Sequence, residues 1–189
     1  PVPPVNRGGG KKVILMAGRA EDPAKGFAVL AEAARRLWEK RQDFEVRATL
    51  PQDMGGGPWL RPLGWVEHSE MPRLYAEADL CVVPSVWDEP WGLVALEAMA
   101  AERPVCASRA GGLAEIVVDG ETGLLFERGN AGALAAALAR LLDDAALRRR
   151  MGEAGRARVL AEFSWNAVME KHYRPLWEDM ARWVGSGGA

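Results

Sequence analysis

"LCVVPSVWDEPWGLVALEAMA", residues Leu80 to Ala100, runs from a short apolar strand (LCVVPS) through a loop (VWDEP) into a helical segment (WGLVALEAMA). That order puts a helix N-terminus at the carboxyl edge of a parallel strand, where ligands of open α/β sheets bind. Gly92 lets the backbone come close to another group. The free amides of a first helical turn, with the positive end of the helix dipole, favour a phosphate there. Glu97 stands in the middle of the apolar helix and Glu89 just before it. An unpaired buried carboxylate is costly, so Glu97 needs partners. Neighbouring ribose hydroxyls would suit it, because an ionised carboxylate can accept both. Glu89 would then face whatever extends beyond the phosphates. A lone Glu in an apolar helix is equally well explained by a nearby Arg or by partial exposure, so the rest of the chain must decide.

Outside this stretch, short β-rich runs alternate with helical patterns, the signature of a mostly parallel sheet covered by helices. Strands are expected at Lys12 to Met16, Phe44 to Leu50, Gly64 to Val66, Leu80 to Val83, Pro104 to Ala107 and Gly123 to Phe126. Helices are expected at Lys25 to Arg41, Ser69 to Ala78, Trp91 to Ala101, a short one after Gly111-Gly112, then Ala131 to Leu142, Ala145 to Glu162 and Trp165 to Trp183. Asn130, Asp144 and Ser164 stand where N-caps are wanted. Residues 1–10 read as a linker and 185–189 as a frayed tail, leaving 11–184 as one domain. A start on a linker suggests a piece of something longer.

The 189 residues, 49% hydrophobic and 26% charged, suffice for one domain with a continuous core. A net charge of -2 argues against neutralising a nucleic-acid backbone or coating an anionic membrane. Cys81 and Cys106 lie in apolar runs and read as small interior hydrophobes, not a disulfide framework. No apolar stretch reaches the roughly 18 residues of a transmembrane helix, and the start lacks a signal-peptide core, so the expected location is the cytoplasm.

The first strand runs into AGRAEDPAKGF, which carries Arg19 and Lys25 to the same carboxyl edge. Cations avoid the first turn of a helix, so Lys25 at that position calls for a local anion; the plainer alternative is that both are solvated surface charges. No G-x-G-x-x-G, Walker loop or D-x-D is present, which disfavours a dinucleotide or a carboxylate-held metal.

Together these residues resemble the nucleotide-sugar-binding half of a GT-B glycosyltransferase, specifically of the retaining family 4. The matching motifs are Gly18-Arg19, Lys25-Gly26, Pro84-Ser85, EPWGLVALEAMA with its E-x7-E spacing, Pro104-Val105, GGLAEIV from Gly111, DGETGLLF from Asp119, and FSW at Phe163 to Trp165. The resemblance implies a Rossmann-like three-layer domain with roughly six parallel strands, the C-terminal half of the GT-B fold. It implies that Arg19 and Lys25 bind the donor diphosphate and stabilise its developing charge in place of a metal. Amides near Trp91, Gly92 and Leu93 would hold the distal phosphate, Glu97 the ribose, and Glu89 the transferred sugar, which makes Arg19, Lys25 and Glu89 the catalytic candidates. The donor would be a UDP- or GDP-sugar, with no cofactor.

The departures are specific. PQDMGGGPWLRPL replaces a usual helix and strand, Glu102 replaces a glycine at a helix end, and Ala114 replaces a proline. The N-terminal acceptor-binding lobe is not in this sequence, so the chain alone should bind and hardly catalyse, with any membrane association made through that lobe. Pro175 should kink or break the last helix, and Trp177 and Trp183 would leave rings seeking cover, on a segment that in the family crosses to the other lobe. Trp38, Trp59, Trp65 and Trp87 read as core or rim. The alternatives are a non-catalytic sugar-nucleotide-binding or scaffold module of the same fold, and a nucleotide-sugar epimerase, which the E-x7-E spacing does not support.

Overall fold

The computed structural model describes residues 10–185. The expected linker and tail therefore lie almost wholly outside the described residues. Six parallel strands form one sheet: β1 (Lys12–Met16), β2 (Phe44–Ala48), β3 (Leu60–Pro62), β4 (Leu80–Val83), β5 (Val105–Ser108) and β6 (Gly123–Phe126), in the order β3-β2-β1-β4-β5-β6. The eight α-helices of the described residues are α1 (Phe27–Trp38), α2 (Met71–Glu77), α3 (Leu93–Ala100), α4 (Leu113–Ile116), α5 (Ala131–Asp143), α6 (Ala145–Arg158), α7 (Trp165–Val168) and α8 (Arg174–Gly185). Every strand pairing is parallel, with Ile14 opposite Leu80 and Val46 opposite Leu60. This is the open doubly wound α/β arrangement, and its strand order reverses between β1 and β4.

The strands are near-continuous apolar runs because helices cover both faces of the sheet. Ile14, Met16, Val46 and Val82 point to one side, where Leu30, Ala34 and Leu37 of α1 and Leu134, Leu138 and Leu141 of α5 close the core. Their neighbours Val13, Leu15, Cys81 and Val83 point to the other, against Tyr75 of α2, Ala95, Ala98 and Met99 of α3, and Leu113 of α4. Cys81 and Cys106 are free and buried, one on each side. Burial raises both thiols well above the usual range, so they stay protonated and inert. The three expected N-caps form: Asn130 accepts from the Ala133 amide at 2.9 Å, Asp144 from Leu147 at 2.8 Å and Ser164 from Ala167 at 3.2 Å. Among the described residues no helix is long and apolar enough to cross a membrane.

Beyond shifts of one to four residues at the ends of β2, β5, α1, α2, α5 and α6, the structure differs from the sequence reading in the following places. The third strand is Leu60–Pro62, not Gly64 to Val66: the Val46 amide donates to the Trp59 carbonyl at 2.7 Å, the Leu63 amide to Ala48 at 2.8 Å, and the chain turns at Gly64 with φ 74. Its edge position tolerates Pro62, which a central strand would not. The helix expected from Lys25 begins at Phe27, because Pro23–Lys25 is a 3₁₀ turn closed by Gly26 at φ 78. The helix expected from Trp91 begins at Leu93, with Gly92 as N-cap. The helix expected over Trp165 to Trp183 is divided: α7 gives way to a π-helical turn at Met169–Tyr173, directly before α8, whose second residue is Pro175. Trp177 and Trp183 are exposed, as expected, while Gly185, expected in the tail, ends α8.

After α3 the chain turns at Glu102, whose φ of 60 makes it the one non-glycine in the left-handed region among the described residues. The left-handed conformation costs a residue with a Cβ about 1–2 kcal/mol. Its offset is a half-exposed contact with Arg156 at 3.5 Å, of a kind worth little. Glu102→Gly is therefore expected to stabilise the domain by about 0.5–1 kcal/mol, raising Tm by about 1–4 °C. A lower Tm by calorimetry would show that the Arg156 contact outweighs the strain.

Candidate functional site

The carboxyl ends of β1 and β4, on either side of the strand-order reversal, open into two adjoining clefts. The first, of about 440 Å³, is lined by Gly18, Arg19, Lys25, Ser85, Trp87, Glu89, Trp91, Gly92 and Leu93 among others. The second, of about 500 Å³, is lined by Thr49, Leu50, Pro51, Trp65, Val66, Tyr75 and Glu97 among others. Gly18, Arg19, Leu93 and Val94 belong to both. The seam between the clefts is thus the turn after β1 facing the start of α3.

Gly92 sets that start. Its φ of 81 turns the chain into α3, no side chain caps the first amides, and a Cβ there would meet Leu113 at 2.8 Å. A helix N-terminus left without a side-chain cap has amides available to an anion. Glu89 is brought to the mouth of the first cleft by the loop after β4, held by the Gly112 amide donating to the Glu89 carbonyl at 2.7 Å.

The Glu89 carboxylate, 13% exposed, is the most heavily bonded acid of the cleft. Lys25 Nζ donates to Oε1 at 3.0 Å and to Oε2 at 2.9 Å, Ser85 Oγ to Oε2 at 3.0 Å, and Trp87 Nε1 to Oε2 at 3.1 Å. Lys25 also lies 5.3 Å from the Trp87 ring centroid, within range of a cation–π contact. Arg19 behaves differently: its side chain is 70% exposed and, among the described residues, its ion-pair partner is Asp22, at 3.7 Å. Its guanidinium is the cation at the seam that a ligand could take without breaking a strong contact. Trp91 stacks edge-on against Phe163, centroids 6.2 Å apart.

In the second cleft Glu97 is half-buried on α3, and Oε2 accepts from the Tyr75 hydroxyl at 2.8 Å. Among the described residues it has no Arg partner, and it is not fully buried, so of the plainer sequence explanations partial exposure is the one met. Burial above all, with the nearby Cys81 and Glu97, pushes the Tyr75 phenol far above its ordinary value, which keeps it a proton donor.

The seven residues singled out in the sequence thus line two clefts that meet: Arg19, Lys25, Glu89, Trp91, Gly92 and Leu93 in the first, Glu97 with Arg19 and Leu93 in the second. One pairing was not expected. Lys25 and Glu89, assigned separately to phosphate and sugar, bind each other across 64 positions of sequence. Lys25 also lies outside the first turn of α1, so repulsion by that helix is not what calls for its partner. Sequence reading missed Ser85, Trp87 and Tyr75 as partners of the acids. The available signal was only that Ser85 and Trp87 share a short loop with Glu89. Among the described residues no group of three or more His, Cys, Asp and Glu side chains could hold a metal ion.

A doubly wound sheet with paired clefts at its reversal, and acids and cations grouped around an uncapped helix start, define an open Rossmann-like α/β domain. The chain belongs to the glycosyl transferases group 1 family, whose model matches residues 11–144. It is 35% identical over 153 residues to the glycogen synthase of Mycobacterium tuberculosis (strain CDC 1551 / Oshkosh), covering 79% of this chain and 34% of that protein. It spans under half the length of this and the other curated relatives it matches. It superposes with a TM-score of 0.73 and 29% identity on the C-terminal domain of a glycosyl transferase group 1 family protein (LpcC) from Francisella tularensis, covering 82% of this chain and 88% of that one. Anabaena Alr3699/HepE, solved in complex with UDP and glucose, shares the fold at 23% identity with a TM-score of 0.75, over 88% of this chain and 48% of its own.

Proposed function

We propose that this chain is the C-terminal, donor-binding lobe of a retaining, metal-independent GT-B glycosyltransferase of family 4. The intact enzyme moves a hexose from a UDP- or GDP-sugar to an acceptor with its anomeric configuration kept. The observation that carries the reading is the placement of Glu89 and Glu97 in two clefts joined at Arg19 and the start of α3. A sugar nucleotide has that shape: two hydroxylated rings with a pyrophosphate between them. The pyrophosphate lies at the seam against Arg19, Lys25 and the amides of Gly92 and Leu93, whose fixed charges and dipoles stabilise the leaving diphosphate as the glycosidic bond breaks. Glu97 accepts from the ribose hydroxyls and Glu89 from those of the transferred sugar. The acceptor lobe is a separate N-terminal unit, consistent with the greater length of the relatives, and the lobe described here acts in the cytoplasm, any membrane contact being made by the other lobe.

Calorimetry with UDP, GDP and ADP in the presence of chelator tests this reading. At least one of them is expected to bind, and Glu97→Ala is expected to weaken it about tenfold or more, the value of hydrogen bonds to a charged group, while leaving inorganic pyrophosphate nearly unchanged. A folded sample that binds none of the three removes the assignment.

A further inference from the structure

Glu97 and Glu89 are held in unlike ways. Four hydrogen bonds from three side chains fix Glu89. Among the described residues the Glu97 carboxylate has one hydrogen-bond partner, the Tyr75 hydroxyl, on Oε2 at 2.8 Å. A Glu side chain on a helix has three rotatable bonds, and without a partner it samples several rotamers, only some of which serve a ligand. Tyr75 is well suited to stop that. It is 3% exposed, and its ring is packed among Val13, Leu15 and Cys81 beneath the second cleft, so its hydroxyl is a fixed point on a rigid wall. The bond joins α2 to α3, the two elements that wall this cleft on that side.

We propose that Tyr75 is the positioning residue for Glu97: it pins one carboxylate oxygen and thereby presents the other to the ribose hydroxyls of a nucleoside diphosphate. The proposal rests on the donor-binding reading above and assigns the cleft's preference for a ribonucleotide to a residue behind the acid. A phenol that stays protonated at all physiological pH makes the contact permanent, unlike one made by a histidine. Removing the hydroxyl while keeping the ring leaves the apolar wall intact and frees Glu97 to rotate, so the loss falls on recognition of the ribose and not on the phosphates.

The test compares UDP and GDP with their 2′,3′-dideoxy analogues, and with inorganic pyrophosphate, on wild type, Tyr75→Phe, Glu97→Ala and the double variant. The wild type is expected to prefer the ribonucleotide by about tenfold or more, the worth of hydrogen bonds to a carboxylate. In Tyr75→Phe that preference is expected to shrink to about two- to threefold with pyrophosphate affinity unchanged, and the double variant to be no worse than Glu97→Ala, since both changes disable one device. Unchanged pyrophosphate affinity and a Tm near that of the wild type separate lost positioning from lost structure. A Tyr75→Phe protein that keeps the full ribose preference overturns this proposal and leaves the donor-binding reading standing. A wild type that binds no nucleotide overturns both.

Discussion

Gly26→Ala is expected to destabilise the domain by about 3 kcal/mol or more, one of the largest losses available to a single methyl group. Gly26 adopts φ 78 between the 3₁₀ turn Pro23–Lys25 and α1, and a Cβ built on it would stand 1.9 Å from the Pro84 carbonyl oxygen and 2.8 Å from its carbon. Two costs add. The left-handed conformation penalises any residue with a Cβ by about 1–2 kcal/mol, and the collision is with backbone at the end of β4, which cannot rotate away. The close approach has a purpose in the fold, because the Val86 amide donates to the Ala24 carbonyl at 2.9 Å and so docks the turn carrying Lys25 onto the segment carrying Ser85, Trp87 and Glu89. Gly129→Ala is the control: Gly129 has φ 77 with nothing within 4 Å of its Cβ position. It should lose only the conformational part, about 1–2 kcal/mol. Denaturant titration that found equal losses for the two would show that the turn moves freely and that Lys25 is not held by it.

The same turn shows what a sequence discloses and what it hides. The apolar runs KVILM, LCVV and GLLF fall on β1, β4 and β6 because strands buried on both faces must be apolar throughout, which leaves little alternative. The short edge strand β3 carries no such mark. LRP became β3 because β2 offers it hydrogen bonds, although GWV a few residues later has the stronger β-forming side chains. Helix starts were read too early at Lys25 and Trp91 for one reason: a glycine in the left-handed region can stand where the apolar pattern already looks helical, and pattern alone is blind to φ.

For the site, the residue types and their spacing along α3 were legible, since a carboxylate in an apolar helix needs an explanation wherever it occurs. The partners were not. Tyr75 lies 22 positions from Glu97 and looks like a core aromatic, which its ring is; only the fold shows where the hydroxyl goes. Trp87 likewise reads as a rim residue until its N–H is seen on Glu89. Positions distant in sequence meet only through the parallel crossovers, so the contacts that tune each acid could not be counted from one chain of letters.

Lys25→Ala carries the other large effect, and it separates stability from binding. The variant leaves Glu89 with two neutral donors, Ser85 and Trp87, and no counter-charge in a position 13% exposed to water. Removing one member of a buried pair costs more than the pair was worth, because the survivor keeps its desolvation penalty. In this partly buried setting the loss is expected to be about 1–2 kcal/mol. Adding Glu89→Gln should return most of it, since the amide accepts from Ser85 or Trp87 without a charge to solvate. Nucleoside diphosphate affinity follows the opposite rule. With Lys25 gone, the first cleft keeps Arg19 and the amides at Gly92 and Leu93 but has lost one of the two cations assigned to the diphosphate, and a charge-assisted phosphate contact of about 2 kcal/mol corresponds to about 30-fold in Kd. Glu89→Gln cannot restore that cation, so the double variant should be stable and still bind weakly. Recovery of binding along with stability would mean that Lys25 serves only to hold Glu89, and the diphosphate would then have to be assigned to Arg19 and the helix start alone.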